Sequence, residues 1–370
     1  MNKLKKKYHC SLYWNVSDYK RGGIEMSKRG FLLAGLMASS LLVAACGSTE
    51  DGAEANASGS VQDIRIAYNL PAEHATGVYF ETLATEIEER TKDTSIQLNP
   101  STFPNGQLYN DSQLPDAIST GGTQIGQITT GFLAGGAATP LQITDLPFLF
   151  DSWEAMWAAE DGEYGDIFNE QFNKMGMELV GWPGYGSVEL YGTTEVKVPG
   201  DVEGLIMRGF GQGASLMLEE LGASPVSMSS QEIYQAVEHG TIDGFATGPS
   251  SVMERGLHEV ANHGTDMMLA LISFQGAANS QWWDGLPDDV KQAVVEASEV
   301  AQEASRKTAR EGDERYKAEL IENGVKLHVP TDGESEQWRQ AAENRHQAYL
   351  EESGEVGQKL YNLVQEYNAE

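Results

Sequence analysis

EGLIMRGFGQG, residues 203–213, begins as a short apolar run and ends in three glycines, with Arg208 at the junction. The apolar run predicts a strand, and the glycines before ASLMLEELG predict a turn into a helix. In open α/β sheets, ligands bind beyond the carboxyl ends of the strands. Arg208 lies at such an end, so it is a candidate for binding a small carboxylate through a bidentate contact. A structural ion pair with a nearby acid is the alternative.

The same strand-to-helix alternation continues on both sides of this stretch. DIRIAYNL (63–70) is rich in β-formers, and GVYFETLATEIEERTK (77–92) has apolar residues at helical spacing. Repeated βα units predict mainly parallel sheets with helices on both faces. GLHEVANHG (256–264) also has a helical pattern. A helix of about 35 residues is predicted from Pro287 to Gly324, long enough to span two lobes.

The N-terminus carries an export signal. A basic start and an apolar run end in VAAC at Cys46, which resembles the lipobox of bacterial lipoproteins. Residues 26–45 are therefore predicted to be a lipoprotein signal peptide, with Cys46 lipidated and anchored to the membrane; a plain secretory signal is the alternative. Residues 1–25 are predicted to be upstream sequence translated by error, or else an unusually long n-region. Residues 46–61 are small and polar, which predicts a flexible tether.

Charge limits the class of partner. The chain has 25 Lys and Arg against 55 Asp and Glu, and removal of residues 1–45 leaves 17 against 53. So acidic a surface excludes nucleic acid and anionic membrane surfaces as partners. Cys10 and Cys46 are the only cysteines. The exported chain therefore has no disulfide and no thiol nucleophile in its folded part.

Two motifs suggest other chemistry, and both are weak. GFGQGA (209–214) fits the dinucleotide fingerprint G-x-G-x-x-G/A, which would make the protein an exported nucleotide-dependent oxidoreductase. It lies deep in the chain rather than in an early βαβ unit, so the glycines are better explained by close approach of the backbone to an anion. His258 and His263 miss the H-E-x-x-H zinc spacing by one residue. No catalytic constellation is found, and neither a metal nor a cofactor is expected.

Several segments in order resemble the solute-binding proteins of tripartite ATP-independent periplasmic (TRAP) transporters, of the dicarboxylate-binding type. The matching segments are FPNGQLYNDSQL, DLPFLFDS, PGDVEGLIMR, LGASPVSMSSQEIYQAVEHGTIDG and WWDGLPDDVKQAV. The resemblance covers roughly residues 63–350. It implies a periplasmic-binding-protein-like α/β fold of class II type, in which two lobes enclose a cleft and are joined by crossing strands and the long helix. Lobe I is predicted to be 62–185 with about 273–320, and lobe II 186–272 with about 321–370.

The resemblance also implies a function and a set of site residues. Such proteins bind a small organic acid in the periplasm of a Gram-negative bacterium and deliver it to the small and large membrane subunits of an ion-gradient-driven permease. Arg208 is implied to hold the carboxylate of the solute. Further ligand contacts are implied or suggested for Asn69, Thr129, Thr130, Thr247, Phe210 and Tyr191. Packing in a core is the alternative for the last two.

This sequence departs from the family pattern at one position that bears on the ligand. Many members carry another ligand-facing arginine about twenty residues before the signature one, where this chain has Val188 in GYGSVELYG. We therefore expect Arg208 to be the single guanidinium at the cleft. A dicarboxylate clamp is then disfavoured, and a monocarboxylate with an uncharged, polar or aromatic body is expected.

Overall fold

The computed structural model describes residues 60–369. Within that range no helix is both long enough and apolar enough to cross a membrane. The predictions for residues 1–25, for the signal peptide, for Cys46 and for almost all of the tether lie outside the described residues.

The described chain alternates strands and helices, as the sequence predicts. The strands are β1 (Ser60–Ala67), β2 (Ile96–Phe103), β3 (Ile125–Ile128), β4 (Met177–Gly181), β5 (Gly184–Gly192), β6 (Ile206–Arg208), β7 (Ser224–Val226), β8 (Gly244–Thr247), β9 (His263–Ser273), β10 (Gln275–Asn279) and β11 (Lys326–His328). The helices are α1 (Ala75–Arg90), α2 (Leu114–Ser119), α3 (Trp153–Glu160), α4 (Glu163–Lys174), α5 (Gln212–Glu220), α6 (Ile233–Glu238), α7 (Pro249–Glu254), α8 (Ser280–Asp284), α9 (Asp288–Glu322), α10 (Asp332–Glu352) and α11 (Gly354–Asn368). The predicted helix at 256–264 is wrong, because only Leu257–Glu259 forms a 3-10 turn and β9 begins at His263.

The strands form two sheets, one in each of two lobes. The sheet of lobe I has the order β2-β1-β3-β10-β4, and the sheet of lobe II has the order β11-β9-β5-β8-β6-β7. The prediction of mainly parallel sheets is only partly right. In lobe I, β10 runs antiparallel to β3 and β4, and in lobe II, β5 runs antiparallel to β8 and β9. These two strands enter directly from the other sheet, without the crossover helix that a parallel connection needs.

The crossings between the lobes are short. Residues 182–183 join β4 to β5, and residue 274 joins β9 to β10. The third connection is α9, a single helix of 35 residues that contacts α1 and β4 of lobe I as well as β5 and α7 of lobe II. Asp288 and Asp289 occupy its first turn, where negative charge stabilises the helix dipole.

A buried ion cluster attaches the second half of α9 to the lobe II sheet. The ammonium of Lys317 lies 2.9 Å from Asp266 Oδ1, 3.2 Å from Asp313 Oδ2 and 3.5 Å from Glu189 Oε1. The Glu189 side chain, on β5, is fully buried, and its other oxygen accepts hydrogen bonds from the amides of Met267 and Met268. Burial raises the pKa of Glu189 to about 8, and the Lys317 charge is the main influence that opposes this rise.

The C-terminal helices divide between the lobes. Trp338 and Ala342 of α10 pack into a core cluster of lobe II. Leu360 and Val364 of α11 pack instead into a cluster of lobe I that contains α3 and α4. The chain changes direction at Gly354, whose φ of 66° favours glycine. The prediction that all of 321–370 belongs to lobe II is therefore wrong for α11.

Candidate functional site

A cavity lies between the two lobes, and an interface between domains is a common place for a small-molecule site. It is found where β1 and β3 end in lobe I and where β6 and β8 end in lobe II, which is the expected place for a ligand in open α/β sheets. The lining residues are Asn69, Leu70, Asp111, Thr129, Thr130, Thr144, Asp145, Tyr185, Val188, Arg208, Phe210, Ser230, Thr247, Ser251, Arg255, Ile272, Ser273, Phe274 and Gln275.

Arg208 is a buried cation without a carboxylate partner. Its residue is 5% exposed, and its guanidinium donates to the backbone carbonyls of Ala246 at 3.1 Å and Met228 at 3.5 Å. Among residues 60–369, no Asp or Glu oxygen lies within salt-bridge distance of it. The structural ion pair considered as an alternative is therefore absent from the described residues. Burial lowers the pKa of Arg208, against the opposing charges of Asp111 and Asp145, which line the same cavity.

Six of the seven residues predicted at the site line this cavity. Asn69 follows β1, Thr129 and Thr130 follow β3, Thr247 ends β8, and Phe210 lies two residues beyond Arg208.

Tyr191 does not line the cavity. It is 2% exposed in the core of lobe II, where its ring stacks on Phe245 with the ring centres 6.1 Å apart. The β5 residues that line the cavity are Tyr185 and Val188, nearer the crossing between the lobes. The core alternative for Tyr191 is the one observed.

A second guanidinium lines the cavity, so the expectation that Arg208 is alone there is wrong. Arg255 follows α7 in lobe II, and one of its terminal nitrogens donates to the Asn69 carbonyl of lobe I at 2.9 Å. Burial lowers its pKa as well. Val188 does occupy the cavity wall, as the family position suggested. The second cation comes from a different element, at a place where the sequence carries no motif.

Hydroxyl groups from lobe II form one wall of the cavity. The Tyr185 hydroxyl lies 2.9 Å from Thr247 Oγ1 and 2.9 Å from Ser251 Oγ, and it accepts a hydrogen bond from the Gly248 amide at 2.8 Å. This tyrosine therefore positions Thr247 and the start of α7. It begins a strand immediately after a crossing, a position that the alternation pattern does not single out.

Asp145 of lobe I docks on the glycine-rich segment of lobe II. Its Oδ2 accepts a hydrogen bond from the Gln212 amide at 3.0 Å, at the start of α5, and Thr130 Oγ1 donates to its Oδ1 at 3.3 Å. A Cβ atom on Gly211 would lie 2.2 Å from the carboxyl carbon of Asp145, and one on Gly213 would lie 2.7 Å from its carbonyl oxygen. These glycines therefore allow the lobes to approach each other, and the helix start that a dinucleotide would need is taken by Asp145.

The Asp145 carboxyl is almost fully removed from water, with 3% of the residue exposed. Burial raises its pKa to about 7, against the opposing effects of the Gln212 amide, the Thr130 and Thr144 hydroxyls and the more distant Arg208 charge. A carboxyl group at the contact between the lobes therefore has a raised proton affinity in this arrangement.

Direct hydrogen bonds hold the lobes in a closed arrangement. Ser230 of lobe II accepts from Asn69 Nδ2 at 2.9 Å, and both its amide and its hydroxyl donate to Asp111 Oδ2, at 3.1 and 2.8 Å. Nearby, Gln231 Nε2 donates to the Asn105 carbonyl at 2.8 Å. Asn105 belongs to the FPNGQLYNDSQL segment, which thus contributes the lobe I side of these contacts.

The family model for bacterial extracellular solute-binding proteins, family 7 (DctP), matches residues 66–353. The chain belongs to this family. A C4-dicarboxylate-binding periplasmic protein DctP of Rhodobacter capsulatus is 26% identical over 279 residues, which is 74% of this chain and 81% of that protein.

Solved structures of TRAP solute-binding proteins have the same fold. One from Anaerococcus prevotii, with bound D-glucuronate, is 25% identical with a TM-score of 0.77, covering 83% of this chain and 98% of its own. Another from Shewanella oneidensis, with bound succinate, is 21% identical with a TM-score of 0.77, covering 84% and 100%.

Family 7 proteins are solute-binding components of TRAP transport that bind small acids outside the cytoplasm and work with membrane permeases; they are not enzymes. The two-lobed α/β fold expected from the sequence is thus confirmed, as is the transport class. Within residues 60–369 there is also no group of three or more His, Cys, Asp or Glu side chains arranged to hold a metal ion.

Proposed function

We propose that this protein captures a small monocarboxylate outside the cytoplasm and delivers it to a TRAP permease. The observation that carries the proposal is the buried Arg208 guanidinium, held by two backbone carbonyls in the cavity wall and lacking a carboxylate within salt-bridge distance. A solute carboxylate supplies the missing charge and bridges the lobes, because Asn69, Thr129 and Thr130 belong to lobe I and Arg208, Phe210 and Thr247 to lobe II.

The charges of the cavity favour a solute with a single negative charge. Its lining contains two guanidiniums, Arg208 and Arg255, and two carboxyl groups, Asp111 and Asp145. With the Asp145 pKa at about 7, the wall is neutral or carries one net positive charge near neutral pH. A monoanion brings such a site close to neutrality, whereas a dianion leaves uncompensated negative charge in a buried cavity. Among the relatives described above, the glucuronate-bound protein has a ligand of this kind.

Capture involves closure of the lobes. The hinge is provided by the short connections at residues 182–183 and 274, with α9 running alongside. In the open form the solute carboxylate reaches Arg208, and closure then removes it from water between the strand ends. Binding and closure are thus linked equilibria, and the closed form is the one presented to the permease.

The lipid anchor at Cys46 is part of the same proposal. A lipidated cysteine followed by the tether 46–61 keeps the binding protein near the membrane that holds its permease. Replacement of Cys46 by Ala is expected to release the protein from the membrane fraction. Persistence of the Cys46→Ala variant in washed membranes would contradict lipidation at this residue.

The test of the binding role uses Arg208→Lys, with Arg310→Lys on the surface of α9 as the matched control. A single ammonium cannot replace the planar fork of Arg208, so affinity for an acid bound by the wild type is expected to fall by at least about 2 kcal/mol, roughly 30-fold. Calorimetric titration with D-glucuronate and with succinate measures the affinity, and thermal unfolding checks the fold. An unchanged affinity in Arg208→Lys would refute the proposed contact.

A further inference from the structure

Five residues that line the cavity each keep one buried polar atom without a hydrogen-bond partner among residues 60–369. These atoms are Asn69 Oδ1, Asp111 Oδ1, Arg255 Nε, Ser273 Oγ and Gln275 Oε1. Buried polar atoms in native proteins nearly always have a partner, so a cluster of unpaired ones in a ligand cavity indicates what the ligand supplies.

Asp111 is the clearest member of this set. The residue is 3% exposed, and its Oδ2 already accepts both hydrogen bonds from Ser230. Its Oδ1 has no hydrogen-bond partner within the described part of the chain. An ionised carboxylate oxygen can only accept, so the partner of Oδ1 has to be a hydrogen-bond donor.

Asn69 and Gln275 have the same requirement. Asn69 Nδ2 donates to Ser230 Oγ at 2.9 Å, and Gln275 Nε2 donates to the Ser273 carbonyl at 3.2 Å. Both amide oxygens are left free to accept. Three acceptors therefore line one cavity together with one free donor, Arg255 Nε. A hydroxyl group on the solute can pair with an acceptor or with a donor of the cavity wall, because it both donates and accepts hydrogen bonds. An ionised dicarboxylate has no hydrogen-bond donor.

We infer that Asp111 is a specificity-determining residue that accepts a hydrogen bond from a hydroxyl group on the body of the solute, with Asn69 and Gln275 as further acceptors. The inference rests on the proposed function, in which Arg208 holds the carboxylate. The solute is then a hydroxylated monocarboxylate of the sugar-acid class. Dicarboxylates and plain carboxylates are excluded because they leave these acceptors buried and unpaired.

The experiment compares three acids by calorimetric titration of the wild-type protein: D-glucuronate, cyclohexanecarboxylate and succinate. Cyclohexanecarboxylate has a six-membered ring and one carboxylate but no hydroxyl group, so it isolates the hydroxyl contribution. D-glucuronate is expected to bind at least about 100-fold more tightly than either of the others. Binding of none of the three acids would overturn the proposed function, and this inference with it. Binding of cyclohexanecarboxylate or succinate as tightly as D-glucuronate would overturn the inference alone.

Two variants separate recognition from closure, because Asp111 also contacts Ser230 across the lobes. Asp111→Asn is expected to reduce the ratio of D-glucuronate affinity to cyclohexanecarboxylate affinity by about tenfold or more. Gln231→Ala removes the cross-lobe hydrogen bond to the Asn105 carbonyl and leaves Asp111 and its Ser230 partner in place. Gln231 does not line the cavity, so this variant is expected to weaken both acids equally and leave the ratio unchanged. An unchanged ratio in Asp111→Asn would show a purely structural role and overturn the assignment.

Discussion

We predict that the protein takes up a proton when the cleft closes, and that the Asp145 carboxyl is the group that binds it. In the structure, burial raises the pKa of this carboxyl to about 7. In an open form, with the contact to the Gln212 segment broken, we expect the carboxyl to meet water and its pKa to return to the ordinary value of 3.8. The groups that oppose this rise in the Asp145 pKa are the Gln212 amide, the Thr130 and Thr144 hydroxyls, and the charge of Arg208 on β6. The raised pKa means that the protonated carboxyl favours the closed form.

The direction and size of the effect follow from these two pKa values. The difference corresponds to roughly 4 kcal/mol at 1.36 kcal/mol per pKa unit. Closure is therefore strongest at low pH, weakens as pH rises from about 4 to about 7, and is constant at higher pH. Because solute affinity includes closure, the affinity for D-glucuronate is expected to fall by about 100-fold between pH 5 and pH 8.

Calorimetric titration across that pH range measures the slope, and Asp145→Asn is the matched variant. An amide has the same shape and carries no charge, so the variant should show no pH dependence and should keep at pH 8 the affinity that the wild type has at pH 5. Repeating the titration at pH 6 in buffers of different ionisation enthalpy should show proton uptake by the wild type and none by the variant. A pH-independent wild type, or a variant with the wild-type slope, would refute the reasoning.

Two further predictions concern stability and steric closure. Replacing Lys317 with Met leaves four acidic side chains, including the buried Glu189 and the exposed Glu314, without their cation. It is expected to lower the free energy of unfolding by about 3–5 kcal/mol in urea denaturation. The exposed Lys307→Met on the same helix should change it by less than about 0.5 kcal/mol. Gly211→Ala places a Cβ atom 2.2 Å from the Asp145 carboxyl carbon and should weaken solute binding without lowering the melting temperature. Gly136→Ala is the control: no described atom lies within 4 Å of its added Cβ, so binding should be unchanged. Equal effects of Lys317→Met and Lys307→Met, or full affinity in Gly211→Ala, would contradict these assignments.

The parts of the site that the sequence predicts lie where a strand ends. Arg208 and Thr247 occupy such positions, at the ends of the neighbouring parallel strands β6 and β8, and these ends lie side by side in the lobe II wall of the cleft. A local sequence pattern is sufficient to predict these positions, because the strand itself determines where the residue at its end lies. The long helix α9 is predicted for a similar reason, since its apolar repeat, acidic first turn and closing glycine are all local signals.

The parts that escaped prediction depend on contacts between distant segments. Arg255 is an ordinary helix-end arginine until the folding of lobe II brings α7 against the Asn69 carbonyl. Tyr191 is aromatic and close to the cleft along the chain, but its side of β5 faces α6 and α7 rather than the cavity. Asp145 did leave a signal: it is an acid within the apolar run LQITDLPFLF, and such an isolated charge indicates a specific buried partner.

The place of β10 in the lobe I sheet affects how the chain folds. Among residues 60–369, β4 pairs with β10 and with no other strand. β10 lies between β3 and β4, although almost a hundred residues separate it from β4 along the chain. A nascent chain can pair β1, β2 and β3 early, but β4 remains without a neighbour until residue 279 has been made. The core of the same lobe is completed later still, by Leu360 and Val364 of α11. Any fragment that ends before α11 therefore exposes the apolar surface of lobe I that Leu360 and Val364 cover in the full chain. Lobe I is thus the first lobe to begin folding and the last to finish.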